Sequence, residues 1–271
     1  MQILKAKTED IPQVRQLWTQ MFDDGTPSFC DFVFSSCKAE DIYMVKEDGT
    51  VVSMLIAMAD MEYNGAKGFY LYSACTLPQY QGRGYMHALA EFAVDDQKKQ
   101  GKAFCVLKPA DEKLFGFWAS LGFTNVTKVR RCEVEIKKNI WSAAQFDIVT
   151  ANRFRTLRDK FCDEKFVHYT SKGYETFATS HYISGGSTAE NDEAYAVYYV
   201  ENSALRVTEL LATSTLQAVK LLQAIRERTG CEKAVVYLSP QSNLFLGEGE
   251  IIDWCAVKGI SDEIYANLII E

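Results

Sequence analysis

Apolar and polar positions alternate along "IYMVKEDGTVVSMLIAMADMEYNGAKGFYLYSACTL", which runs from Ile42 to Leu77. The breaks "EDG" and "YNG" are hairpin signals. The pattern therefore predicts strands near 42–47, 51–62 and 67–77 in an antiparallel meander. Upstream, "QILKA" reads as a short strand, and Glu9 to about Phe22 as a helix with Thr8 at its N-cap and Pro12 in its first turn. A loop-rich region carrying Pro27 follows it. Beyond the meander the period lengthens. Tyr85, Leu89 and Phe92 form one stripe, with Met86, Ala90 and Ala93 beside it, on a helix from about Gly84 to Gln100. Lys98 and Lys99 complement its C-terminal dipole, and Gly101 stops it. The strand "AFCVLK", the short helix "EKLFGFWASLG" and a strand ending near Ile136 complete this half.

The stretch "KKNIWSAAQFD" marks a shift in composition and sets the expected boundary, with one domain over 1–137 and a second over 138–271. The second half begins with a helix-prone stretch over 150–162 and a polar, glycine-containing loop, "ISGGSTAEND". Two strong strands follow, "EAYAVYYV" and "ALRVTELL", joined by the turn-like "ENS". A helix from about Thr215 to Arg228 is closed by Gly230, and the strand "KAVVYL" precedes two late strands, the last being "YANLIIE". Strand, strand, helix, strand is also the order over 51–108. The two halves thus read as a diverged repeat at the level of elements, with negligible residue identity.

Composition narrows the class of protein. The chain has 271 residues, 48% of them hydrophobic, which is enough for one large core or two ordinary ones. No apolar run is long enough to span a bilayer, and "MQILKAKTED" has no apolar stretch of the signal-peptide kind. A net charge of −7 without a basic block argues against a nucleic-acid partner. The eight cysteines are scattered without a C-x-x-C pair, and His87, His168 and His181 have no metal-ligand spacing. Buried free thiols in a reducing cytoplasm are the expectation, with no metal and no membrane partner. No feature decides the oligomeric state, for which a homodimer is the common arrangement.

The chemistry concentrates in "LPQYQGRGYMHAL", Leu77 to Leu89. A strand ending at a proline, a glycine-containing loop and a long helix make an anion site, because the first N–H groups of the helix are unpaired and its dipole favours negative charge. Gly82 and Gly84 let the backbone turn sharply and let a pyrophosphate approach, and Arg83 adds a charge-assisted contact. The stretch is not a P-loop, since G-Y-M stands where G-K-[ST] is needed. Nor is it a Rossmann fingerprint: Met86 and His87 follow Gly84, and the preceding strands form a meander rather than a parallel unit. A tight turn with no ligand remains the alternative on these residues alone.

Read with the later "FCVLKPADEKLFGFWASLGF", the segment "CTLPQYQGRGYMHALAEFA" resembles the GCN5-related N-acetyltransferase (GNAT) family. The family's V-x-P appears as Thr76-Leu77-Pro78, its glycine motif as Gln81-x-x-Gly84-x-Met86, and its Y-x-x-L-G-F as Trp118-x-x-Leu121-Gly122-Phe123. The resemblance covers about 40–137 well and the N-terminal strand and helix loosely. It implies an α/β (α+β) fold of the acyl-CoA N-acyltransferase type, a mixed central sheet with flanking helices. A bulky residue at Met86 and the echo in the second half also resemble the tandem "enhanced intracellular survival" branch, implying two tandem GNAT-like domains with the second degenerate. The implied cofactor is acetyl-CoA. Its pantetheine would pair with the edge of strand 70–77, chiefly at Thr76, Leu77 and Pro78. Its pyrophosphate would rest on N–H groups from Gln81, Gly82, Arg83, Gly84, Tyr85 and Met86.

The family's direct attack by an amine on the thioester requires a base, an oxyanion donor and an acid for the leaving thiolate. Trp118 occupies the position of the family's usual tyrosine acid, and an indole N–H donates a hydrogen bond but is a poor acid. Tyr72, Tyr85, Cys75 and His87 are the nearby groups, each with packing, cofactor contact or a surface position as its plainer reading. For the base, Asp60 and Glu62 share a strand face, with a solvated strand end as the plainer reading. Some tandem relatives use the chain's C-terminal carboxylate, which here belongs to Glu271. The resemblance implies an N-acetyltransferase acting on a small-molecule or peptide amine. A non-catalytic acyl-CoA-binding protein and an aminoacyl or longer-acyl transferase are the competing readings. The second half reads "LLATSTLQAVKLL" at the corresponding turn, without glycine, and is not expected to hold a pyrophosphate in the same way.

Overall fold

A computed structural model describes residues 1–22 and 26–270. The chain divides into two compact units. The first comprises Met1–Asn125 with Ala256–Asp262, and the second Val126–Cys255 with the described residues from Glu263 on. None of the described helices is long and apolar enough to cross a membrane.

The first unit starts with β1 (Gln2–Lys5), α1 (Ile11–Met21), α2 (Pro27–Ser36) and β2 (Ile42–Glu47). The meander follows as β3 (Thr50–Tyr63) and β4 (Ala66–Thr76), then α3 (Tyr85–Lys99), β5 (Phe104–Leu107) and α4 (Leu114–Ser120). The strands lie in the order β1, β2, β3, β4, β5, antiparallel except for the parallel pair β4–β5. The outer side of β5 is taken by Ala256–Lys258 from a late strand, antiparallel to it.

Two expectations for this unit are corrected. Residues 27–36 are helical, because Pro27 occupies the first helical position and Thr26 Oγ1 caps the Phe29 N–H at 3.2 Å. Residues 23–25 of the same expected loop lie outside the described residues. At the start of α1 Thr8 is not the cap. It opens a short 3-10 turn, and Asp10 accepts the Lys7 N–H at 2.9 Å. The buried stripe of α3 is Tyr85, Leu89, Ala90, Ala93 and Gln97. Phe92 falls at its edge, meeting the Tyr43 ring edge-on at 6.0 Å.

The second unit contains β6 (Asn125–Glu135), β7 (Gln145–Phe146), α5 (Ala151–Phe161), β8 (His168–Tyr169) and α6 (Ser171–Ile183). It continues with β9 (Ser187–Asn191), β10 (Ala194–Glu201), β11 (Ala204–Ala212), α7 (Thr215–Thr229), β12 (Lys233–Leu238) and β13 (Glu250–Lys258), whose end joins the first unit. The strand order is β7, β9, β10, β11, β12, β6. As in the first unit, a hairpin (β10–β11) leads through a helix to a parallel neighbour (β12). The repeat seen in the pattern of elements is therefore a repeat of topology.

The stretch taken for a polar loop contains β9, whose three central residues are buried against β10. Polar strands of this kind escape an alternation rule that counts apolar side chains. The expected last strand is absent over 266–270. Those residues are buried without a ladder, and Tyr265 makes a single bridge to Phe166. All eight cysteines are free thiols, six of them buried.

Candidate active site

β4 and β5 meet over three registered pairs, Gly68↔Phe104, Phe69↔Cys105 and Tyr70↔Val106, and then part. Gly68 permits the contact, because a β-carbon there would stand 2.4 Å from the Phe104 ring. Beyond it β4 bulges, since Leu55 of β3 faces both Ser73 and Ala74. Ser73 takes φ +53°, and its hydroxyl accepts the indole N–H of Trp18 at 2.9 Å. A bulge bends its strand and raises its twist, so β4 swings away from β5, and among the described residues their registered pairs end at Tyr70↔Val106.

At the end of β4 the Leu77 N–H donates to the Val52 carbonyl at 2.9 Å. Thr76 is therefore a non-hydrogen-bonded partner of Ser53, with its own N–H and C=O directed to the open edge. Its hydroxyl is tied to Ser53 Oγ at 2.8 Å, and its carbonyl accepts Gln81 Nε2 at 3.0 Å. Of the three residues expected to pair with a pantetheine, Thr76 thus keeps an edge-facing N–H. Leu77 has spent its N–H, and Pro78 has none and opens a short turn to Tyr80.

The loop to α3 is exposed from Gln81 to Gly84. Gly82 and Gly84 stand at φ +74° and +77°, and a β-carbon on either would meet nothing within 4 Å. Their glycine character therefore serves backbone conformation rather than close packing. Gly84 caps α3 without a side-chain acceptor, and its carbonyl takes the Ala88 N–H at 3.1 Å. The first-turn N–H groups ahead of Ala88 have no intrahelical partner. Arg83 is half-exposed, donates to the Gln79 carbonyl at 3.1 Å, lies 5.0 Å from the Tyr80 ring and faces Glu47 at 3.5 Å. Tyr85 donates its hydroxyl to the other Glu47 oxygen and stacks on Tyr80 at 6.4 Å. Acceptance by Glu47 raises the Tyr85 hydroxyl above its ordinary range, so it stays protonated. Met86 packs against the core that also holds Leu89 and Trp118.

Trp118 is 5% exposed, edge-on to Phe117 at 5.1 Å and to Phe123 at 5.4 Å. Tyr72 is half-buried on β4 beside Tyr70, with ring centroids 6.3 Å apart. Cys75 is buried, and desolvation pushes its thiol up to about 12, so it is neutral and a poor nucleophile. His87 sits on the surface of α3, 3.6 Å from Glu91 one turn on. Asp60 and Glu62 pair with Phe69 and Lys67 near the tip of the β3–β4 hairpin, away from the loop end of β4. Asp60 is exposed and bridged to Lys102 at 2.5 Å, which makes it a solvated strand end. Glu271 lies outside the described residues.

Sequence reasoning missed Glu47, Trp18 and Ser73, whose partnerships span tens of residues and leave no local pattern. It also missed Lys258, which donates to the Leu121 carbonyl at 2.8 Å and so caps the end of α4. The corresponding turn of the second unit has no glycine. Ser214 there caps the Gln217 N–H at 3.3 Å with its own hydroxyl, filling the place an anion would take.

Residues 2–125 match the family model described as an acetyltransferase (GNAT) domain. No curated protein matches the sequence significantly. Among solved structures, a GCN5-related N-acetyltransferase from Kribbella flavida is 14% identical with a TM-score of 0.68, the match covering 95% of this chain and 69% of that one. Eis1 from Mycobacterium abscessus is 10% identical with a TM-score of 0.66, over 95% of this chain and 73% of its own. A tandem GNAT protein from the clavulanic acid biosynthesis pathway is 14% identical with a TM-score of 0.54, over 96% and 98%. At such identities the likeness is one of fold. Residues 2–125, which have both the ordered motifs and the parted β4–β5 pair, are thus similar to a GNAT acetyltransferase domain, and the chain shares the fold of these solved proteins.

Proposed function

We propose that the first unit is an acetyl-CoA-dependent N-acetyltransferase that transfers an acetyl group to a primary amine of a small molecule or peptide by direct attack. The observation that carries this reading is the exposed, glycine-hinged turn from Gln81 to Gly84, placed at the end of a strand that has parted from β5. A bound acetyl-CoA supplies an activated acyl thioester. The residues fit that ligand. Thr76 offers an edge N–H, Gly82 and Gly84 leave open space, the first-turn N–H groups of α3 are unspent, and Arg83 supplies a cation. The side chain of Met86 faces the core, so only its N–H is asked for.

Of the expected catalytic residues Glu271, Trp118 and Tyr72, the last two lie among the described residues. Tyr72 has a hydroxyl able to give and take a proton, whereas Trp118 is limited to donating an N–H. The burial of Trp118 between Phe117 and Phe123 favours a second reading, in which the unit binds the donor without turnover. In both readings the second unit is a degenerate GNAT-like domain. Its repeated topology and its glycine-free, serine-capped turn support that assignment. The net charge of −7, carried without a basic block, supports a small-molecule or peptide amine rather than a nucleic acid as the partner.

A thiol-release assay with acetyl-CoA over a panel of amines tests the first reading, and calorimetry with CoA separates it from the second. Binding with turnover establishes the transferase, and binding without turnover on any amine establishes the donor-binding protein. Longer acyl-CoAs in the same assay identify a transferase of larger acyl groups. Absence of binding by folded protein overturns both readings.

A further inference from the structure

The cation of the turn is already engaged. Glu47, the last residue of β2, points one carboxylate oxygen at Arg83 Nη1, 3.5 Å away, and accepts the Tyr85 hydroxyl on the other. Arg83 is further held by the Gln79 carbonyl at 3.1 Å and by the face of Tyr80. A carboxylate thus takes up the donors of the residues on either side of Gly84, in a turn whose backbone is suited to an anion.

We infer that Glu47 is an internal counter-anion that sets donor affinity: a phosphate group of the ligand must take Arg83 from it. The inference rests on the reading of this turn as the CoA site. The two charges of the Arg83–Glu47 pair largely cancel at the distance of an incoming phosphate, so the turn attracts anions less than its arginine alone would. Both side chains are partly solvated, with 50% and 24% exposure, so the competition is screened by salt. Glutamine at position 47 keeps one oxygen to accept from Arg83, turns its amide N–H toward the Tyr85 hydroxyl, which accepts it, and removes the charge.

The test is calorimetric binding of CoA to the full chain at low and high ionic strength. Glu47→Gln is expected to bind CoA about threefold to fivefold more tightly at low salt, the gain falling below about twofold at high salt. Combined with Arg83→Met, the same change is expected to give no gain. Glu47→Ala, which removes the same charge by a different side chain, shifts affinity in the same direction and guards against a defect peculiar to the glutamine variant. Unchanged or weaker binding by either Glu47→Gln or Glu47→Ala at low salt overturns the inference, as does a gain that survives in the Arg83→Met background. If wild-type protein binds no CoA, the donor-site reading falls and this inference falls with it.

Discussion

Trp18 donates its indole N–H to Ser73 Oγ over 2.9 Å, and both residues are buried where β4 bulges away from β5. The hydrogen bond ties α1 to the one residue of β4 that holds a left-handed backbone, at φ +53°. Aromatic rings of Phe22, Phe29 and Phe34 surround the indole at 5.4–6.3 Å. Trp18→Phe keeps this packing and strands the serine hydroxyl, so a loss of about 1–3 kcal/mol in urea unfolding is expected. At position 73 the order of stability should be glycine above alanine above valine, because glycine alone accepts the backbone without strain. A valine variant as stable as the glycine variant would show that the bulge is not held in this conformation.

The turn itself predicts a different balance. Gly82 and Gly84 lie in open space at positive φ, so alanine meets no neighbour and costs only backbone strain, about 1–2 kcal/mol per site. The loop is exposed and relieves that strain by shifting, which moves the N–H groups a phosphate would use. Gly84→Ala should therefore lower CoA affinity about tenfold or more while the unfolding midpoint changes little. Calorimetry and urea unfolding on the same preparation separate the two effects. A parallel loss of stability and affinity would assign the glycine to folding instead.

Acid stability is expected to depend on the second unit. His181 is 2% exposed, gives its Nε2 hydrogen to the Ser187 carbonyl at 3.0 Å and stacks on Phe177. Burial lowers it from the ordinary 6.5 to about 4. The unfolded chain then binds more protons than the folded one between those values. Stability is full above pH 6.5 and declines as the pH falls, with a total loss of about 3 kcal/mol once the pH is below 4. Burial and the charges of Arg158 and Arg155 likewise lower His168 to about 4, which steepens the same window. Urea unfolding between pH 7 and pH 4 should show a shallower pH slope in His181→Phe than in wild type. Equal slopes would mean that the ring is accessible to protons in the folded protein.

How much of this was legible follows the range of the interactions. The meander, α3 and its stop at Gly101 are written in local periodicity and turn residues, and the strand borders fall close to their expected places. α2 was hidden because Pro27 reads as a loop residue until Thr26 is seen to cap it. β9 was hidden because its buried centre is "TAE", polar by composition yet paired on both sides. The turn at Gly82 and Gly84 was legible because ordered motifs lie within a short stretch. Glu47 with Arg83, 36 residues apart, and Trp18 with Ser73, 55 apart, are products of topology, and no periodicity encodes them.

The first unit includes a strand from the end of the chain, and this sets a limit on dissection. Ala256–Lys258 pairs with β5, whose four residues are all buried. Lys258 caps the Leu121 carbonyl at 2.8 Å, and Asn125 Nδ2 reaches the carbonyls of Ile260 at 3.1 Å and Asp262 at 2.7 Å. A chain of residues 1–137 loses all of these, leaving the apolar edge of β5 unpaired beside the opening that defines the site. Such a fragment should lack a cooperative urea transition and bind a hydrophobic dye, whereas the full chain unfolds sharply. Lys258→Met in the full chain is the milder version. It removes one charge-assisted bond to a helix end and should cost about 1–2 kcal/mol. A fragment that unfolds cooperatively as a monomer would show that β5 does not need the late strand. The Lys258→Met loss would then be expected to vanish as well, since both effects come from the same docking of Ala256–Lys258 on the edge of β5.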